Sequence, residues 1–213
     1  MFNEDVKFGF EPSMLDGSEY IFGAGGGMPQ TNLPNTYSYK RFLPGVLNQG
    51  SESICVPCSV SAYLNWRENL QTGSKKDNRI DYHEIYDIRT NNGEGMTFKE
   101  AFHYLRHHGV SSKCGNLKIN EYAMVKNLLL LKMALVMNGP CVGALPVYND
   151  RSEFWDKSPG DGFYGYHAIS IVGYNEDGFI IRNSWGSGFA NNGYTMIRYE
   201  DFNKLLEIWT IID

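Results

Sequence analysis

"YHAISIVGYNEDGFIIRNSWGSGFANNGY", residues 166–194, holds two short apolar runs on either side of an Asn-Glu-Asp-Gly turn. The alternation after His167 and the isoleucines before Arg182 predict two adjacent antiparallel strands. His167 begins the first strand and Asn183 ends the return strand. Antiparallel pairing would set the imidazole beside the amide side chain. A general base held by an orienting group has that composition. Around this hairpin, "CVGALPVY" (141–148) and "GYTMIRY" (193–199) are further β-rich runs separated by Gly and Asn turns.

Upstream the pattern is helical. In "VPCSVSAYLNWREN" (56–69), Val60, Tyr63 and Leu64 recur at three-to-four spacing, Pro57 falls in the first turn, and Gly73 supplies a stop. "IDYHEIYDIRT" (80–90) reads as a short helix. Thr97 caps "FKEAFHYLRHH" (98–108), which Gly109 ends. "EYAMVKNLLLLKMALVMNG" (121–139) reads as one long helical stretch. Residues 1 to about 47 are rich in turn formers, and "GAGGGMP" (23–29) is a flexible connection rather than a phosphate loop, having no strand before it or helix after it. Helices first and strands second predict an α+β fold with a cleft between two lobes. The expected layout is a single domain over 1–213: an irregular segment 1–35, a helical lobe over about 36–115, and a mainly β-rich lobe over about 116–213.

The chain has 213 residues, 42% of them hydrophobic and 20% charged, which suits one folded unit. A net charge of −5 argues against nucleic-acid binding, which requires a basic face. There is no signal-peptide pattern, no apolar run of bilayer length and no Asn-x-Ser/Thr acceptor. Four cysteines are too few for a disulfide scaffold. A protein in a reducing compartment such as the cytoplasm, without a membrane partner, is expected; oligomeric state is not readable.

The stretch "NQGSESICVPCSVSA" (48–62) contains Cys55-x-x-Cys58. A redox pair would follow a strand in a βαβ unit, and none precedes it. A zinc site would need a second close pair, whereas Cys114 and Cys141 stand far apart, so no metal is expected. His103 and His107 lie four apart on one helix without an acidic partner and read as a solvated face. A reactive thiol remains. Cys55 sits at the helix start, where unpaired N–H groups favour a thiolate; Cys58 lies almost a turn inside and packs as a small hydrophobe.

"HAISIVGY…IIRNSWGSGFANNGY" resembles the His and Asn segments of papain-like cysteine peptidases, and "NQGSESICVPCSVSA" resembles their Gln and Cys segment. "FGFEPSMLDGSEY" resembles the lead-in of bacterial-type members. The order Gln, Cys, glycine loop, His, Asn is the family's. Separations of 112 residues from Cys55 to His167 and 128 to Asn183 sit at or below its usual roughly 130–150. The string C-G-[SA]-C-[WY] is absent, and either cysteine can be aligned on the nucleophile. Gln49, six residues before Cys55, and Ser59, four after it, match the family's spacing and favour Cys55.

The resemblance implies a two-lobed papain-like fold and a cysteine endopeptidase acting on polypeptides through a thioester, with no cofactor. It implies Cys55 as nucleophile, paired as thiolate with an His167 imidazolium. Asn183 would orient the imidazole, Gln49 would be an oxyanion donor, and Trp185 would cover the His–Asn bond. Gly95, with Gly93 the weaker candidate, would pair with substrate backbone. Met96 and Ala144 would line an apolar pocket for the residue two before the cut, and Tyr166 would shape the leaving-group side. The same site would also serve an isopeptidase, amidase or acyltransferase. A catalytically silent binding module is disfavoured by the retained Gln49, Cys55, His167 and Asn183. The N-terminal 35 residues are expected to pack on the lobes and to reach the cleft.

Overall fold

The structure is a computed structural model and describes residues 7–25, 32–89 and 93–213. In chain order its elements are β1 (Tyr37–Ser38), α1 (Cys55–Thr72), α2 (Tyr82–Tyr86), α3 (Phe98–His107), β2 (Val110–Ser112), β3 (Gly115–Leu117), β4 (Glu121–Met124), α4 (Leu128–Met137), β5 (Cys141–Val147), β6 (Gly165–Tyr174), β7 (Gly178–Arg182), β8 (Tyr194–Arg198) and β9 (Ile208–Ile212). The helical half is α1 to α3 with the β2–β3 hairpin. The other half is an antiparallel sheet in the order β4-β9-β5-β6-β7-β8. The expected α+β layout with helices first is what the chain adopts. The glycine-rich run at 23–29 falls mostly outside the described residues, as do Asn91 and Asn92.

Local chemistry sets the helix ends. α3 starts with a full capping box: the Thr97 hydroxyl accepts from the Glu100 amide and the Glu100 carboxylate accepts from the Thr97 amide. Asp81 caps α2 by accepting from His83 and Glu84. α1 ends at Gly73 in the left-handed region, with φ 62°. Its first residue is Cys55, and its N-cap Ile54 offers no side-chain cap.

One expectation is corrected. Residues 121–139 are not a single helix: Glu121–Met124 is strand β4, paired antiparallel to β9 with Met124 opposite Trp209, and α4 starts only after Asn127. The Asn127 side chain accepts from the Leu130 amide and caps the helix. Pairing with β9 overrides the helical propensity of Glu-Tyr-Ala-Met, a tertiary effect that local periodicity does not carry.

β6 is the strand on which the halves meet, and its alternation serves both. Ala168 and Val172 face α1 and join a core cluster with Val56, Val60, Ala144 and Phe98. Ile169 and Ile171 face the opposite side and join α4, Leu145, Phe154 and Trp155. The Ser170 hydroxyl donates to the Ser59 carbonyl of α1 at 2.9 Å and ties helix to strand. Beyond Ile171, β5 no longer flanks β6; β1 takes over, with Ser38 opposite Gly173, where the register with β7 shifts by a bulge.

A Cβ on Gly173 would lie 2.2 Å from the Tyr37 carbonyl oxygen. Gly173→Ala is therefore expected to cost about 2–3 kcal/mol of stability, read as a lower midpoint in urea unfolding, because backbone rather than a flexible side chain must give way.

Candidate active site

His167 and Asn183 reach each other across β6 and the end of β7, and His167 Nε2 lies 2.7 Å from Asn183 Oδ1. The Ser184 amide also donates to Asn183 Oδ1 at 2.7 Å, which fixes the oxygen end of that side chain. Nε2 therefore carries the proton, and Nδ1 is the free base. Trp185 stacks on the imidazole, with centroids 4.6 Å apart and planes at 30°. Phe154 meets both rings, edge-on to His167 at 5.8 Å and tilted against Trp185 at 4.9 Å. His167 is 0% exposed and Asn183 buried, so the bond between them is shielded from water.

Cys55 comes to this pair from α1. The Ala168 amide, one residue past His167, hydrogen-bonds its sulfur, so docking α1 on β6 brings the thiol to the strand residue next to His167. Gln49 is held from three directions. Its backbone amide donates to the Ser184 carbonyl at 2.8 Å, its Oε1 accepts from the Ser184 hydroxyl at 2.6 Å, and its Nε2 donates to the Glu52 carbonyl at 2.9 Å. The second Nε2 hydrogen points into the cleft and meets the Lys7 carbonyl at 3.2 Å. Cys58 is buried within α1, and burial raises its thiol pKa well above the ordinary range. The described cysteines are all unpaired, and no three potential metal ligands cluster among the described residues.

Met96 and Ala144 are fully buried in the core cluster that also holds Phe10 and Ala168. Gly95 leaves the space that the Glu11 side chain occupies: a Cβ there would lie 2.4 Å from Glu11 Cγ. Tyr166 shares a β6 face with Ala168 and packs against that same cluster. Residues that sequence reasoning passed over are Ser184 and Phe154; that the N-terminal segment reaches the cleft was expected, but not that Lys7 to Glu11 are the residues that do so. Ser184 stands inside the Asn-Ser-Trp-Gly string and is recognisable once Gln49 is known to need an oxygen-side partner. Phe154 and the Lys7–Glu11 segment carry no local signal.

The thiolate–imidazolium pair expected from the sequence is not formed in this closed arrangement. His167 Nδ1 has no hydrogen-bond partner among the described residues. Burial pushes the Cys55 thiol up to about 11 and the His167 imidazole down to about 4, so both are neutral near pH 7.

The protein has a papain-like α+β fold. Over 100% of its length it superposes on 98% of xylellain, a cysteine protease from Xylella fastidiosa, with a TM-score of 0.80 and 20% identity. The papain family cysteine protease profile matches residues 72–207, and the chain belongs to that family. That match contains His167 and Asn183 and begins after Gln49 and Cys55. Among relatives, macrodontain-1 of Ananas macrodontes is 31% identical over 121 residues, covering 53% of this chain and 56% of its own. Cathepsin B-like CP1 of Giardia intestinalis is 32% identical over 124 residues, covering 48% and 41%. The chain spans about half the length of these curated relatives. No helix among the described residues is long and apolar enough to cross a membrane.

Because the folded pKa of His167 lies below the ordinary 6.5, the folded state binds fewer protons than the unfolded chain between these values. Its contribution to stability is complete above about pH 6.5 and is lost as pH falls towards 4. Urea unfolding at about pH 7 and pH 4.5 is expected to show a smaller acid loss in His167→Gln than in wild type, by roughly 2–3 kcal/mol.

Proposed function

We propose that the protein is a cysteine endopeptidase, with Cys55 as nucleophile, His167 as base and acid, Asn183 as orienting group and Gln49 as oxyanion donor. The observation that carries this reading is the Gln49 amide: locked by Ser184 and Glu52, it directs its remaining N–H onto a peptide carbonyl, that of Lys7. A donor preset on a carbonyl oxygen is what acyl transfer needs when charge develops there.

With a substrate in the cleft, water and peptide change the environment that keeps both groups neutral. His167 Nδ1 takes the Cys55 proton as the sulfur bonds to the carbonyl carbon, and the carbonyl electrons move onto oxygen against Gln49 Nε2 and the first amides of α1. Collapse of this adduct breaks the C–N bond, and the imidazolium gives its proton to the departing amine. Water, deprotonated by the same nitrogen, then adds to the thioester and releases the acid and the free thiol. Asn183 holds the ring by Nε2 throughout, and Trp185 and Phe154 keep that bond dry. Met96 and Ala144 form an apolar seat for the residue two before the cut, Gly95 leaves room for its backbone, and Tyr166 narrows the cleft next to His167.

Gln49→Ala is expected to lower kcat about 10²–10³-fold with KM little changed, because the donor acts on charge that develops only during reaction. Cys55→Ala should abolish turnover of a peptide library. Hydrolysis of side-chain amides with no cleavage of that library would point to an amidase instead.

A further inference from the structure

The Gln49 amide is fixed at two points, and they are not equally secured. Ser184, itself buried, holds Oε1 from the sheet half. One bond leaves the amide plane free to turn about it, so the aim of Nε2 depends on the second point, the Glu52 carbonyl at 2.9 Å. That carbonyl belongs to a tight turn. The Glu52 amide donates back to the Gln49 carbonyl at 3.1 Å, with Gly50 between them at φ 57°. The tip of the turn, residues 50–52, is exposed, so apolar packing does not hold it.

A side chain of α2 does. His83 Nε2 lies 2.6 Å from Glu52 Oε2. α2 is a firm mount for that ring: Asp81 accepts from the His83 and Glu84 amides, and the Glu84 carboxylate accepts from the Ser111 amide at 2.8 Å and the Tyr104 hydroxyl at 3.2 Å. Glu52 stands three residues before Cys55, where the string C-G-[SA]-C-[WY] has a cysteine, so this grip belongs to this chain and not to that string.

We propose that His83 is a positioning residue for the oxyanion donor: by gripping the Glu52 carboxylate it sets the carbonyl that aims Gln49 Nε2. The inference rests on reading Gln49 as that donor. His83 acts only through Glu52, and its grip titrates. The hydrogen bond to Glu52 holds the His83 pKa above the ordinary 6.5, against a lesser effect of desolvation, and the Glu52, Asp81 and Asp87 charges add to the rise. The elements packed on α2 direct their groups elsewhere: Cys58 of α1 acts on Tyr82, while Tyr104 of α3 and Ser111 of β2 engage Glu84. The pair is therefore charged below the raised value and is lost as pH climbs through it. His83 and Glu52 are 58% and 54% exposed, which limits the grip to a few-fold effect on rate.

The test measures kcat and KM for peptide hydrolysis between about pH 6 and pH 9 in wild type, His83→Gln, Gln49→Ala and the double variant, with urea midpoints to verify folding. At the acid end His83→Gln is expected to lower kcat about 2–5-fold with KM unchanged. The deficit should vanish at the alkaline end, where wild type has lost the charge as well. In the Gln49→Ala background the same substitution should change nothing. His83→Arg, whose cation does not titrate in this range, should exceed wild type at the alkaline end by the same factor. A deficit constant with pH, or one of full size without the Gln49 amide, would overturn the proposal, since a merely structural loss gives both. NMR reads the same device without turnover. The Gln49 side-chain amide resonances should move with the His83 imidazole midpoint in wild type and stay fixed in His83→Gln. Resonances indifferent to that titration would overturn the proposal whatever the activity. If they follow His83 while Gln49→Ala keeps the wild-type kcat, the positioning stands and the donor reading falls.

Discussion

The docking of the first turns of α1 on β6 is the constraint on which the site depends. Small side chains permit it: Ala168 on the strand lies under the helix, and Ser59 lets its carbonyl accept from the Ser170 hydroxyl. Once helix and strand meet at that distance, the Ala168 amide and the Cys55 sulfur are in hydrogen-bond reach, and His167 is one residue away.

A second junction ties the halves together at the mouth of the cleft, and it is polar where the first is apolar. Leu47 to Gln49 run beside Ser184 to Gly186. The Gly186 amide donates to the Leu47 carbonyl at 2.7 Å, and Asn48 pairs with Trp185. Ser184 thereby performs two tasks, its amide fixing Asn183 and its hydroxyl fixing Gln49. The orientation of His167 and that of the Gln49 amide rest on one residue, so they cannot drift independently. Buried side-chain networks of this kind are worth having only when fully satisfied, which the Gln49 amide is.

Legibility from sequence followed locality. His167 and Asn183 could be read because a hairpin is a local object and its strand ends must meet. Cys55 could be placed at a helix start and Cys58 inside the helix because Pro57 and the apolar spacing mark that boundary locally. The strand at Glu121–Met124 could not be read, since its partner β9 lies more than eighty residues later in the chain and nothing in Glu-Tyr-Ala-Met announces the pairing. Phe154 was invisible for the same reason: an aromatic in a loop acquires its meaning only from the rings that converge on it. The N-terminal segment was legible as irregular, but its path over the thiol depends on Gly9 and Ser53 fitting backbone to backbone, a property of the assembled surface.

The closed arrangement also carries its own opposition. His167 Nδ1 and Asn183 Nδ2 are buried with no hydrogen-bond partner among the described residues. A buried polar group left in that condition costs ~1–3 kcal/mol relative to one that is paired. Residues 7–11 do not supply the missing partner of Nδ1: the Gly9 amide is spent on the Cys55 sulfur, and Phe8 meets the imidazole edge-on. Water or a reacting substrate can, since either brings a proton for Nδ1 to accept. Apolar contact and backbone pairing thus hold residues 7–11 in place while His167 Nδ1 stays unsatisfied.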